Sequence, residues 1–97
     1  MKDLHIVAIV YAKEGREEQL RQDLIALAAP SQNEDGNLRY EVLVDQEDPR
    51  RFVFVEHWSD EALQEKHHIE GKHILHFHGD GARNVERTEV FRLDRIA

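Results

Sequence analysis

Apolar positions along the chain fall into two periods. From Leu4 to Ala12, Leu4, Ile6, Ala8 and Val10 share one face of an extended segment, and Val7, Ile9 and Tyr11 share the other, because successive strand side chains point to opposite sides. A strand apolar on both faces needs cover on both. Glu14-Gly15 supplies a turn. From Arg16 to Ala29 the spacing becomes helical, with Leu20, Leu24 and Leu27 on one stripe and acids early. Pro30 is expected to stop this helix, leaving Ser31 to Asn37 as a polar loop that turns at Asp35-Gly36. Alternation then returns: Leu38, Tyr40, Val42 and Val44 point inward, between Arg39, Glu41 and Asp45.

The stretch DQEDPRR has the length of a hairpin connection. Phe52 to Trp58 reads as the next strand. Ser59 or Asp60 is placed to cap a helix from about Glu61, with Glu61 and Glu65 near its positive end. Leu63, His67, Ile69, Ile74 and Phe77 form an imperfect stripe along it, and HGDGARN ends it at Gly79 and Gly81. Val85 to Leu93 is a last, charge-rich strand. The order βαββαβ predicts an α+β, ferredoxin-like domain, with an antiparallel sheet and both helices on one face. The other sheet face is left open although β-branched residues line it. A second copy of the chain is the simplest cover, so a homodimer with sheets packed face to face is expected.

Composition narrows the function classes. The 97 residues suit a single domain spanning 1–97. A formal net charge of −7 argues against nucleic-acid binding, which relies on cations against phosphate. The N-terminal apolar run is short and lacks a cleavage pattern, and nothing approaches a membrane span. There is no Cys, which removes disulfide and thiol chemistry and is compatible with a cytoplasmic location.

Candidate chemistry gathers where the third strand meets the second helix. Phe54, Glu56 and Trp58 share a face with Phe52, and His57 lies on the other. If the first face looks toward the helices, Glu56 and Trp58 enter the sheet–helix layer near His67 or His68. A carboxylate beside an indole and an imidazole in a partly dry cleft suits proton transfer. The structural alternative has Trp58 plugging the core and Glu56 pairing with an Arg or backbone amides. His67 and His68 differ by about 100° around a helix, so only one is expected to face the cleft; the Leu63 spacing favours His67, and a five-residue step to His73 favours His68. Tyr40 points inward and its hydroxyl needs a partner. Arg39, Arg50 and Arg51 are cationic but sit in or beside a hairpin, where solvation is usual. His73, His76 and His78 raise the question of a metal, but with neither Cys nor an HExxH pattern no metal site is expected.

The blocks KEGREEQL, EDGNLRYEVLVDQEDPRRFVFVEHWSDEAL and HHIEGKHILHF, with the spacings E-x-G-x-x-x-Y and F-x-x-x-E-x-W inside them, resemble the antibiotic biosynthesis monooxygenase-like family of small dimeric α+β barrels. The resemblance implies a cofactor-independent monooxygenase that removes a proton from a quinol or another enolisable aromatic, whose anion then reacts with O₂. It favours the pocket reading: His67, His68 and Glu56 as catalytic groups, and Trp58, Phe54, Tyr40 and His73 as substrate contacts. Phe54 stands where polyketide-tailoring members carry Asn, and Ala8 or a neighbour where haem-degrading members carry Asn, so neither specific activity is implied. The family also includes an isomerase of a phosphorylated autoinducer sugar. A comparable isomerase of a small carbonyl metabolite, or a non-catalytic ligand-binding or stress-response dimer, is the alternative.

Overall fold

The computed structural model describes residues 3–70 and 81–97. Their order is β1 (Leu4–Ala12), α1 (Glu17–Gln32), β2 (Asn37–Val44), β3 (Arg51–Trp58), α2 (Glu61–Glu70), a 3₁₀ turn (Gly81–Asn84) and β4 (Val85–Leu93). The strands form one antiparallel sheet in the order β2-β3-β1-β4. This is the ferredoxin-like arrangement that the hydrophobic pattern predicts. His73, Ile74, His76, Phe77, His78 and Gly79, which the sequence reading placed on or after the second helix, lie outside the described residues.

Period-two alternation is complete in the two central strands. Leu4, Ile6, Ala8, Val10 and Ala12 are buried on the helix side of β1, with half-buried residues between them. Phe52, Phe54, Glu56 and Trp58 do the same on β3. The registers Ile6↔Glu56 and Ala8↔Phe54 set these faces side by side. Leu20, Leu24 and Leu27 of α1 complete the core against them. Asn84, also buried, donates to the Asp23 carboxylate at 2.9 Å and so ties the 3₁₀ turn to α1.

Two expectations are corrected. Pro30 does not stop α1, which runs on to Gln32. Proline removes one N–H and its ring crowds the preceding turn, but here it lies on the exposed side of the last turn. The end is closed by other donors: Ser31 Oγ to the Leu27 carbonyl (2.6 Å), Asn33 Nδ2 to the Ala29 carbonyl (3.1 Å), and the Asn33 N–H to the Pro30 carbonyl (3.3 Å). Ser31, expected in a solvated loop, is therefore fully buried. Leu38, expected inside, is 58% exposed. The β2–β3 register shifts between Asn37 and Arg39, and such an irregularity leaves one residue outside the pleat's alternation. Tyr40 resumes the inward face.

The sheet face away from the helices carries Val7 and Ile9 of β1, Val53 and Val55 of β3, Leu43 of β2 and Phe91 of β4. Leu43 is 50% and Phe91 45% exposed. Among the described residues no helix is long and apolar enough to cross a membrane.

Candidate active site

A cleft of about 570 Å³ opens on the helix side of the sheet, between α1, α2 and strands β1, β3 and β4. That is the size of a small-molecule site. Its floor is apolar, from Ile6, Ala8, Val10 and Phe54, with Leu27 on the α1 side. Polar groups enter from two directions: Tyr40 and Glu56 from the sheet, and Gln64, His67 and His68 from α2.

Local sequence places α2. The Asp60 carboxylate accepts the Ala62 N–H at 2.7 Å, so Asp60 caps the helix. Leu63, Gln64 and His67 then fall on one face, and Gln64 and His67 are buried. His67 is only 4% exposed, whereas His68 is exposed at the cleft edge. The backbone before β2 fixes how closely α2 approaches. Gly36 has φ +84 and accepts the Ser59 N–H at 2.8 Å; a Cβ there would meet Leu63 Cδ1 at 2.6 Å.

His67 packs between two aromatic rings. The Trp58 ring centre lies 4.9 Å from its own and the Tyr40 ring centre 5.8 Å, the latter edge-on. Its Nδ1 lies 2.9 Å from Glu34 Oε1. Glu34 belongs to the turn between α1 and β2. Glu34 is the first residue of the E-x-G-x-x-x-Y spacing, but nothing in that spacing assigns it a role or a partner. Only the docking of α2 beside that turn brings the two side chains together.

Glu56 is buried on the β3 floor, and Trp58 Nε1 donates to its Oε1 at 2.9 Å. Burial raises the Glu56 carboxyl above its usual range, and the Trp58 hydrogen bond opposes this in part. Tyr40 lies across from Glu56 in the β2–β3 register. Its phenol is pushed up first by burial and then by the Glu56 charge, with Ser31 as its hydrogen-bonding neighbour partly opposing both. It therefore stays protonated in the neutral range.

The structure brings His67, Glu56, Tyr40 and Phe54 together, with His68 at the rim. Trp58 is fully buried and is not among the described residues that line the cleft. It lies behind the site, holding Glu56 and backing His67. His73 lies outside the described residues. Arg39, Arg50 and Arg51 are engaged elsewhere, by Glu41, by Glu86 and by Asp45 with Asp48. Among the described cleft residues the cation is Arg92, paired with Glu61 at 2.7 Å, and it is outnumbered by Glu56, Glu61 and Glu65.

A buried imidazole on α2 packs against the Trp of a Glu-x-Trp strand end, beside an apolar cleft. The family model described as antibiotic biosynthesis monooxygenase matches residues 3–79. The chain belongs to that family. Protein PA3566 from Pseudomonas aeruginosa is 32% identical, with a TM-score of 0.94 over 100% of this chain and 97% of that one. Protein SO0527 from Shewanella oneidensis is also 32% identical, with a TM-score of 0.91 over 99% and 94%. A structure described as an antibiotic biosynthesis monooxygenase is similar in fold, at 24% identity and a TM-score of 0.89 over 97% and 99%. No curated protein matches the sequence.

Proposed function

We propose that the cleft is the active site of a cofactor-independent monooxygenase acting on a small quinol or anthrone-like aromatic, with His67 as the proton acceptor. The observation that carries this reading is the buried His67–Glu34 contact at the wall of an apolar cleft. A carboxylate beside Nδ1 holds a proton there, which puts the lone pair on Nε2 and stabilises the imidazolium formed on proton uptake. Glu56 assists from the floor, where it lies beside the developing anion or accepts the proton in turn. Phe54 and Tyr40 supply apolar and phenolic surface for an aromatic ring.

The chemistry needs little more from the protein. Deprotonation of an activated CH₂ or phenol gives an electron-rich anion, which passes electrons to O₂. In the anthrone case CH₂ becomes C=O; one oxygen atom enters the product and the other leaves as water. The chain binds the substrate, excludes water from the anion and takes the first proton.

Charge supports this class over the isomerase alternative. A phosphorylated carbonyl metabolite would meet Glu56, Glu61 and Glu65, with Arg92 already tied to Glu61. The reading includes a homodimer in the cytoplasm: a second copy covers the Val7, Val55 and Phe91 face, away from the cleft. Oxygen uptake by the metal-chelated protein, measured against a panel of quinols and anthrones, tests the activity. Substrate-dependent uptake is expected; binding of the panel compounds with no uptake by any of them would favour a non-catalytic ligand-binding dimer.

A further inference from the structure

On the opposite face of the sheet from the cleft, at the end where β1 begins and β3 ends, three side chains converge. His5 and His57 are direct cross-strand partners. Their rings stack with centres 4.2 Å apart and planes 16° from parallel. Asp3, one residue ahead of β1, brings its Oδ2 to 2.7 Å from His57 Nε2. One ligand atom from each of the three residues lies within 4.8 Å of the other two. We propose that Asp3, His5 and His57 form a binding site for a divalent transition-metal ion of the zinc class, separate from the catalytic cleft and not used in its chemistry.

The donor set selects the ion. Two imidazoles and one carboxylate, with no thiol, suit zinc and its neighbours and do not suit magnesium or calcium, which prefer all-oxygen shells. Distances of about 2.0–2.2 Å from zinc to nitrogen or oxygen put tetrahedral neighbours a little over 3 Å apart. The His57–Asp3 pair is at 2.7 Å, and all three atoms lie within 4.8 Å of one another. The ion takes the place of the proton between His57 and Asp3, and the rings turn out of their stack about their own side-chain torsions. The backbone need not move, because pairing between two central strands already fixes the imidazoles opposite each other. A single carboxylate ahead of the strand then completes a three-ligand set, with the fourth position left for water.

The surroundings permit the charge. Leu93 is the β4 neighbour of His5, and Arg39 the β2 neighbour of His57 on the same face. Arg39 is the nearest cation in register, and it is neutralised by Glu41 at 2.6 Å. In a single chain His57 and Asp3 are 27% and 52% exposed, at the end of the sheet face that the proposed second copy covers. By sequence spacing the metal candidates are the helix histidines His73, His76 and His78, and a search by spacing finds no ligand pattern among them. The strand pair is invisible to that search, because its members are joined by register and not by sequence spacing.

Zinc titration calorimetry on tag-free protein tests the proposal, with circular dichroism confirming the fold of every variant. Saturable binding of one ion per chain is expected. His57→Gln and His5→Gln should each weaken it by at least about tenfold, the scale on which even outer partners of metal ligands act. His76→Gln, in the other histidine group, should leave it unchanged. Asp3→Asn, at a half-exposed position ahead of β1, should weaken it too and gives a second route if a strand variant unfolds. Zinc should also raise the melting temperature of the wild type and not of His57→Gln, since a ligand that binds only the folded state stabilises it. Unchanged affinity in both His57→Gln and Asp3→Asn, or no saturable binding up to about 1 mM zinc, overturns the proposal.

Discussion

At Glu56 the fold buries a carboxylate where two strand positions earlier it buries Phe54. Burial penalises the charged form, so the folded-state carboxyl holds its proton to higher pH than the unfolded one does. A carboxyl raised in this way lends stability that is fully present below its ordinary value of 4.5 and is lost as pH rises through the raised folded value. Glu56→Gln keeps an oxygen to accept from Trp58 Nε1 and carries no charge. The variant is expected to be more stable than wild type in urea unfolding at pH 7, with the gap closing at pH 4. A wild type more stable at pH 7 would mean that the ionised carboxylate is held by more than the Trp58 hydrogen bond. At this scale the sequence was partly legible: alternation puts Glu56 inward, and the helix stripe puts His67 on the face shared with Leu63. Glu34 was marked only as the head of E-x-G-x-x-x-Y; its meeting with His67 was not legible, because tertiary docking alone makes it.

Elements carry the site through a few close approaches. Helix α2 is set by the Asp60 cap, by Leu63 against Gly36, and by Arg92 reaching Glu61 and Gln64 from β4. Gly36 is the most restrictive of these points, since its positive φ and the 2.6 Å Cβ clash with Leu63 both exclude a side chain. Gly36→Ala is expected to cost about 1–3 kcal/mol, the range for a strained backbone position, and to impair the site as well, because Glu34 lies in the same turn. Denaturant unfolding measures the first effect, and a stability loss below about 0.5 kcal/mol would show that the turn relaxes freely. Helix α1 and strand β2 mark the limit of pattern reading. Proline and a run of small polar residues normally punctuate a helix, but here side-chain donors close its last turn and Ser31 is drawn into the core beside Tyr40. The β2 irregularity that exposes Leu38 likewise has no signature in alternation, since one displaced residue looks the same as a regular strand start.

The sheet has two apolar faces, one packed under the helices and one open in a single chain. The βαββαβ order and both helices on one side follow from the succession of strand and helix periods along the whole chain, and the second apolar sheet face from Leu4–Ala12. Val7, Ile9, Val53 and Val55 are half-buried in a single chain, and Leu43 and Phe91 are about half exposed beside them. The proposed dimer buries this surface. Sedimentation should find a dimer at micromolar concentration, and Val55→Lys, which puts a charge in the middle of the face, should shift it toward monomer. A wild type that sediments as a stable folded monomer contradicts the dimer. The catalytic proposal stands on the other face, and its most direct test is oxygen uptake against pH with the best substrate of the panel, comparing wild type, His67→Gln and His68→Gln. Wild type and His68→Gln should show uptake rising with pH, while His67→Gln should lose that limb and about 10²–10⁴-fold in rate, the usual contribution of a positioned base. Full turnover with an unchanged pH profile in His67→Gln would contradict the account.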